Sequence, residues 1–205
     1  MSRFAFELDK PVGNYIRMAE RVQTSFGRFW NAQAGCCFDV LDGPGGNDAA
    51  LRPNQILAVS LPESPLDDGQ RRAVVEICAR RLVTPHGLRS LDPEDPRYHG
   101  RYRGSPEERD AAYHQGTVWA WLLGPFVLAH LRVYGDPALA ATFLEPMARN
   151  LLAYGVGSIG EIFDGQPPFQ PRGAIAQAWS VAEILRAWHA CHEAGLPAKQ
   201  VAAGK

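Results

Sequence analysis

Apolar residues recur at helical spacing in six segments of the chain, with polar residues between them. In the first segment, Ile16, Ala19, Phe26 and Trp30 follow one another at intervals of three, four or seven positions, which places them on one face of a helix. We therefore predict helices over residues 13–34, 52–61, 67–83, 116–134, 137–154 and 174–193.

Residues with known capping preferences mark several of the predicted helix ends. Asp67 or Asp68 is suited to cap the start of the third helix. Asp136 and Pro137 suit the start of the fifth helix, and Gly155 suits its end. The fourth and fifth helices should therefore form an antiparallel hairpin.

Long loops separate the predicted helices, and strand patterns are rare. The two longest loops, 84–112 and 156–173, are rich in Gly and Pro, and loops of such length are usually functional or disordered. We expect the first to be an ordered surface loop. The best candidate strand is 37–41. The predicted class is all-α, with long loops between helices.

Composition narrows the class of partner. The chain has 205 residues, of which 46% are hydrophobic, enough for one domain with a core. Its formal charge of −1, with acidic and basic residues interspersed, predicts binding to neither nucleic acid nor an anionic membrane. The four cysteines form neither a disulfide framework nor a CxxC pair, and the N-terminus lacks an apolar signal segment. We expect reduced thiols and a cytoplasmic location.

The loop 158–173, SIGEIFDGQPPFQPRG, holds two candidate catalytic acids, Glu161 and Asp164. A carboxylate among apolar neighbours can act as a general base. The alternative is structural, because both acids could cap the following helix or pair with Arg172. Composition alone favours that alternative, since structural ion pairs are common.

A second group of candidates suits a neutral, hydroxyl-rich ligand. The segment YHQGTVWAWLLGP, 113–125, places a histidine and an amide near Trp119 and Trp121, and indole rings stack well on sugars. Amide and guanidinium groups at 52–55 and 177–179 add hydrogen-bonding capacity without net acidity. The alternatives are core tryptophans and solvated helix ends.

Metal and cofactor chemistry is not expected from these residues. His189 and His192 flank Cys191 near the end of the last predicted helix, but no third ligand stands at a recognised spacing. The glycine-rich segment 42–48 has no following Lys-Ser or Lys-Thr, and no GxSxG motif occurs. We predict no metal and no cofactor.

Five ordered motifs together resemble the C-terminal amylo-α-1,6-glucosidase domain of glycogen debranching enzymes. They are RPNQ from Arg52, TPHGLRSL from Thr84, YHQGTVWAWLLGP from Tyr113, SIGEIFDG from Ser158 and PRGAIAQAWSVAE from Pro171. The resemblance implies an (α/α)6 toroid, a six-hairpin glycosidase barrel, of which this chain would form about the C-terminal half. It implies an N-terminal remnant or linker over 1–14, a partial glucosidase domain over 15–194 and a flexible tail over 195–205.

The resemblance also implies a reaction, the inverting hydrolysis of α-1,6 branch linkages in glycogen or limit dextrin. In this family the Glu of the SIGEIFDG-type loop is the general base, which is Glu161 here. The general acid lies upstream in a TWMD-type motif, which these 205 residues do not contain. We therefore expect the chain to be inactive alone. The substrate-binding residues that we predict are Arg52, Asn54, Gln55, His114, Gln115, Trp119, Asp164, Gln177 and Trp179.

Three departures and two rival hypotheses accompany the resemblance. The chain has Ala120, Phe169 and Ala174 where the family tends to have Pro, His and Cys. The expected partners are an α-glucan and either an upstream chain that carries the missing half or a second copy bound through uncovered apolar faces. The rival functions are a non-catalytic glucan-binding or assembly module and a helical interaction scaffold.

Overall fold

The computed structural model describes residues 1–195, so the predicted flexible tail lies outside the described residues except for Gly195. The helices run in chain order through the described part. They are α1 Ser2–Glu7, α2 Gly13–Phe26, α3 Ile56–Ser60, α4 Asp68–Arg81, α5 Pro106–Ala112, α6 Leu123–Tyr134, α7 Pro137–Thr142, α8 Glu145–Ala153 and α9 Ala178–Gly195.

Short antiparallel strands join these helices. They are β1 Trp30–Asn31, β2 Cys36–Cys37, β3 Val40–Gly43, β4 Gly46–Asp48, β5 Val83–Thr84, β6 Gly87–Arg89, β7 Val118–Trp119, β8 Ile162–Phe163 and β9 Pro171–Arg172. β1 pairs with β2 and β3 with β4, whereas β5 to β9 form one five-stranded antiparallel sheet in sequence order.

The all-α prediction is therefore correct only for the helical part of the fold. Strands β5, β6, β8 and β9 lie within or beside the segments predicted as long loops, and β7 lies where the fourth helix was predicted to begin. Four of these five strands have only two residues, and alternation cannot be recognised over so short a length. The closed (α/α)6 toroid is not shown by this structure.

Two predicted helix starts coincide with strong caps, whereas α5, which begins with a capping box at Ser105, lies in the segment predicted as a loop. Asp67 caps α4 in a full capping box with Gln70, and Asp136 caps α7 through Leu139 N. One continuous helix was predicted over 137–154, which is wrong, because α7 and α8 are separate helices. The helix predicted over 13–34 ends earlier, at Phe26, and a 3-10 turn and β1 follow it.

Helix α6 is at the centre of the helix packing. This helix contacts α3 and α9 most extensively, while α4 and α7 also pack against it. Its buried residues, including Leu123, Phe126 and Val127, join Ile56 of α3 and Ala187 of α9 in one core. None of the helices within residues 1–195 is both long and apolar enough to cross a membrane.

The five-stranded sheet is connected directly to three of these helices. β5 follows the end of α4, β7 leads through a 3-10 turn into α6, and β9 shortly precedes α9. The loops that connect strands and helices therefore converge near the residues at which α6 and α9 begin. This convergence brings together the motifs around residues 52, 113, 161 and 177.

Candidate functional site

The sheet fixes the backbone of Glu161, the residue just before β8. Its N–H donates to Ala174 O at 3.0 Å, and its carbonyl accepts from Ala120 N at 3.3 Å. Glu161 is thus held from the β7 side and from the β9 side at once. A residue fixed on both sides by backbone hydrogen bonds can present its side chain in one direction.

Three donors surround the carboxylate of Glu161. Tyr113 donates its hydroxyl to Oε1 at 2.7 Å, and Gln177 donates Nε2 to the same oxygen at 3.2 Å. The backbone N–H of Ala174 donates to Oε2 at 3.1 Å. A carboxylate has about four acceptor positions, so one position on Oε2 has no partner among the described residues. That position is where a water molecule can be held and deprotonated.

Gly173 makes room for this carboxylate. Its backbone is left-handed, with φ of 66°, and an added Cβ would overlap Glu161 Oε2. Only glycine satisfies both conditions at this position without strain. The glycine of the PRG sequence before α9 is therefore required for the orientation of the Glu161 carboxylate.

Tyr113 connects Glu161 to the tryptophans. Burial raises the pKa of Tyr113, and the hydrogen bond to Glu161 raises it further, so the hydroxyl stays protonated and remains a donor. The carbonyl of Tyr113 accepts from Trp119 Nε1 at 3.1 Å, and its ring lies 4.8 Å from the ring of Trp119. Tyr113 was not among the predicted site residues, although it begins one of the motifs.

Aromatic side chains that contact Tyr113 form part of a cavity, and Glu161 itself is not among the residues that line it. The ring of His114 stacks on Trp119 with centroids 5.0 Å apart and an angle of 3° between planes. Trp179 lies 6.4 Å from Trp119 and 5.6 Å from Trp121. Trp119 is only 6% exposed, whereas Trp179 is 49% exposed and can offer its ring to a ligand.

The cavity has a volume of about 420 Å³, within the range of about 300–1,000 Å³ typical of small-molecule sites. It is lined by Asp39, Asp48, Arg52, Pro53, Asn54, Ser90, His114, Trp119, Trp121, Leu122 and Trp179. Five of the predicted substrate-binding residues are thus brought to one cavity. Asp39, Asp48 and Trp121 were not predicted as site residues.

Arg52 uses most of its donors within the protein. Nη1 donates to Ser90 O at 3.0 Å and to His114 O at 2.6 Å, while Nη2 donates to the side chain of Gln115 at 2.8 Å. Nε lies 3.3 Å from Asp39 Oδ2. The guanidinium has five N–H groups, and four have these partners. Arg52 therefore holds the cavity wall together more than it faces a ligand.

Two other predicted residues lie behind the cavity wall. Gln55 is buried, accepts from Cys37 N at 3.0 Å and donates to Arg52 O at 3.2 Å. Gln115 is held by Arg52. Both amides tie the segment before α3 to its neighbours, so their polar groups are directed at the protein.

Asp164 lies at the other end of β8, away from the Glu161 contacts. It is 1% exposed and forms an ion pair with Arg172 at 3.2 Å. Its Oδ1 also accepts from Tyr102 N at 2.9 Å. Asp164 therefore forms the ion pair with Arg172 that the sequence offered as the alternative to a catalytic role. Glu161, in contrast, has no arginine among its hydrogen-bond partners in the described residues.

Within residues 1–195 no group of three or more His, Cys, Asp or Glu side chains is arranged to hold a metal ion. The site combines the carboxylate of Glu161, which has an open acceptor position, with a nearby cavity that has aromatic and polar walls. This combination suits water activation next to an uncharged, hydroxyl-rich ligand.

Comparison with known proteins gives both a family and a fold. The sequence profile of the amylo-alpha-1,6-glucosidase family matches residues 2–186. The chain is similar to the glycogen debranching enzyme of Saccharomyces cerevisiae, with 36% identity over 89 residues, which are 40% of this chain and 6% of the yeast protein. The chain therefore spans a small part of that relative.

Solved structures of a bacterial hydrolase share the fold. The GH63 mannosylglycerate hydrolase from Thermus thermophilus in complex with glucose has a TM-score of 0.65 and 21% identity, over 92% of this chain and 43% of that chain. The same hydrolase with Tris and D-glycerate gives 0.63 and 19%, over 91% of this chain and 41% of that chain. At such identities the likeness concerns the fold alone, and this chain spans less than half of the hydrolase.

Proposed function

Because the chain belongs to the amylo-alpha-1,6-glucosidase family, we propose that it supplies the general-base part of an inverting glucosidase that cleaves α-1,6 branch linkages of glycogen-type glucans. The observation that carries this proposal is the carboxylate of Glu161. It is held by Tyr113, Gln177 and Ala174 beside an aromatic cavity, with one acceptor position open.

The reaction needs a proton acceptor on one side of the sugar and a proton donor on the other. Glu161 Oε2 takes a proton from water while the water oxygen bonds to the anomeric carbon. The bond from that carbon to the bridging oxygen breaks, and an acid protonates the leaving oxygen. In inverting enzymes the two carboxyl groups are about 6.5–9.5 Å apart, which leaves room for the water.

The cavity residues position the glucosyl unit for this step. The half-exposed ring of Trp179 offers a stacking surface, and the polar groups of Asn54 and His114 are available to the hydroxyls. Arg52, Gln55 and Gln115 maintain the cavity wall, and Asp164 maintains the sheet. The predicted substrate-binding set is thereby divided into ligand-facing and supporting residues.

We assign the general acid to a polypeptide segment outside these 205 residues, one that also completes the toroid. Exposed apolar side chains on two helices support this part of the proposal. Ile16, Met18 and Val22 of α2 are exposed, as are Leu185 and Trp188 of α9. Exposed apolar surface usually marks an interface. On this proposal the chain alone is nearly inactive, and its location is cytoplasmic.

A second candidate function is glucan binding without hydrolysis. It is favoured by the fact that the cavity beside Glu161 is lined by residues of this chain, whereas the reaction requires an acid from elsewhere. The two candidates differ in the role of Glu161. Hydrolysis requires its carboxylate, whereas binding in the cavity depends mainly on the aromatic and polar walls.

The experiment that tests the proposal is glucose release from a phosphorylase limit dextrin. The chain is assayed alone and with a polypeptide that carries the TWMD-type motif, and Glu161→Gln is compared with Glu193→Gln. Glu193 provides a matched control, because it is exposed and lies on α9 about 21 Å along the helix from Trp179.

We expect release only from the mixture, with a decrease of about 10²–10⁴-fold in Glu161→Gln and no change in Glu193→Gln. Equal release by both variants would exclude Glu161 as the base. If no mixture releases glucose, binding of maltotriose and isomaltose separates the candidates. Retained affinity in Glu161→Gln would then support the binding module.

A further inference from the structure

Two carboxylates in the cavity wall, Asp39 and Asp48, have no role in the proposed reaction, and Asp48 is already paired with Arg97. Asp39, between β2 and β3, lines the cavity together with the tryptophans, and its side chain is 13% exposed. Its Oδ1 accepts from Asn54 Nδ2 at 2.7 Å, and its Oδ2 lies 3.3 Å from Arg52 Nε. The backbone N–H of Asp39 donates to Asp48 O at 2.8 Å, which fixes the residue in the hairpin.

These contacts leave Asp39 able to accept further hydrogen bonds. Each of its oxygens has one protein partner among the described residues, and a carboxylate has about four acceptor positions in all. Arg52 has little capacity left for a ligand, because its other donors are directed at Ser90, His114 and Gln115. The polar part of the wall near Asp39 therefore offers mainly acceptors, and it selects ligands that donate hydrogen bonds.

The surroundings of Asp39 suit a ligand that donates hydrogen bonds. Both of its side-chain partners, Asn54 and Arg52, are donors, so neither competes with a ligand hydroxyl as an acceptor. A carboxylate that lines a cavity together with aromatic rings is suited to a sugar, whose hydroxyls donate while a face of its ring stacks.

We propose that Asp39 binds hydroxyl groups of a glucosyl unit in this cavity and so determines which sugar is accepted there. This inference rests on the proposed function, because it takes the cavity to be a glucan site. Asp39 acts in recognition and not in proton transfer. Its two open acceptor positions allow it to bind two hydroxyls of the same unit.

The test is calorimetric binding of maltotriose and isomaltose to the wild-type chain, Asp39→Asn and Asp42→Asn. Asp42 lies in the β3–β4 hairpin and provides the control. It also pairs with an arginine, Arg28 at 2.6 Å, but it does not line the cavity. We expect affinity to fall about 10- to 100-fold in Asp39→Asn, as for loss of hydrogen bonds to a charged group, and to stay unchanged in Asp42→Asn.

Monodeoxy analogues of the bound sugar distinguish recognition from support of the wall. Removal of the contacted hydroxyl should weaken binding to the wild-type chain about tenfold or more and have little further effect on Asp39→Asn. Equal losses in both proteins would overturn the proposal, as would unchanged affinity of Asp39→Asn.

The wild-type chain alone provides a second test that does not require the variant to fold. If it binds the sugars but no single hydroxyl deletion weakens binding, the assignment of Asp39 fails while the glucan site stands. If it binds neither sugar, both the assignment of Asp39 and the glucan site are overturned.

Discussion

The direction of the Glu161 carboxylate depends on residues that are distant in sequence. Tyr113 precedes β7 and Gln177 lies between β9 and α9, yet both donate to the same oxygen of Glu161. The other oxygen faces the backbone of Ala174 and the Cα of Gly173. In the proposed reaction, a small displacement of this group would misplace the attacking water, and misplacement by about 1 Å can cost 10²-fold in rate.

Gly173→Ala tests this dependence at the level of one methyl group. The new Cβ would overlap Glu161 Oε2, so we expect the carboxylate to move and glucose release by the completed enzyme to fall about tenfold or more. The measurement is the rate of release from limit dextrin.

Gly35→Ala is the control for Gly173→Ala. Gly35 has the same φ of 66°, but no atom lies within 4 Å of its added Cβ. It reproduces the cost of a left-handed alanine without touching Glu161. Equal loss of activity in both variants would show that backbone strain, rather than contact with Glu161, causes the effect.

At the residue scale, the sequence indicated which segments form the site but not the contacts within them. Glu161 and Gln177 are in direct contact, and Arg52, Asn54, His114, Trp119 and Trp179 share one cavity. The commitment of Arg52 to three backbone and side-chain oxygens could not be foreseen. Such hydrogen bonds depend on loop conformation, which composition and spacing do not determine.

Among the elements, β8 and β9 have the greatest influence on the site. Glu161 lies immediately before β8, and Asp164 follows the same strand and pairs with Arg172 of β9. The ion pair crosses the two strands diagonally, because Arg172 is paired with Ile162 and Asp164 follows Phe163, while the Glu161 contacts lie at the Ile162 end. The strands are only two residues long, so side-chain contacts at both ends contribute much of their stability.

Asp164→Asn tests the structural role of this pair. The change leaves Arg172 without its charged partner and should lower the free energy of unfolding by about 2 kcal/mol. Urea denaturation measures this loss. Affinity for maltotriose should remain within a factor of about two, because we place Asp164 outside the ligand-facing set.

A large loss of sugar affinity in Asp164→Asn, without loss of stability, would return Asp164 to the substrate-binding residues. Asp68→Asn provides the control for stability, because Asp68 also pairs with an arginine but is exposed on α4. Pairs of that kind usually contribute little to stability.

The helix at α4 was predicted, whereas α5, which also has a capping box, was predicted as a loop, and the strands of the five-stranded sheet, which depend on tertiary pairing, were not predicted. α4 has a capping box and lies within the predicted helix. By contrast, β7 occupies residues whose apolar pattern also fits a helix, and pairing with β6 and β8 decides its conformation. The first predicted helix fails after Phe26 for a similar reason, because β1 pairs with β2.

At the scale of the whole molecule, two histidines pack against aromatic rings of the core. His130 is buried among Phe126, Tyr134 and Phe143, and His86 stacks on Phe163 with centroids 4.6 Å apart. The Nδ1 atoms of both histidines lack hydrogen-bond partners in the described part of the chain. Burial lowers the pKa of both, and for His130 it outweighs the opposing effect of Asp136.

Stability should therefore fall as the pH decreases through the range in which unfolded histidines bind protons. Well above pH 6.5, the usual histidine pKa, both states are neutral at these positions, and the full stability is present. Below that pH the unfolded chain binds protons more readily than the folded chain, so the free energy of unfolding decreases by up to about 1 kcal/mol per histidine at pH 5.5.

His130→Gln should reduce this pH dependence because it removes one of the two groups. The measurement is the urea midpoint and slope at pH 7.5 and 5.5 for the wild-type chain, His130→Gln and the exposed control His189→Gln. The control should lose as much stability as the wild-type chain. An unchanged pH-dependent loss in His130→Gln would mean that the buried neutral state of His130 does not contribute, and that carboxylates account for the acid sensitivity of the fold.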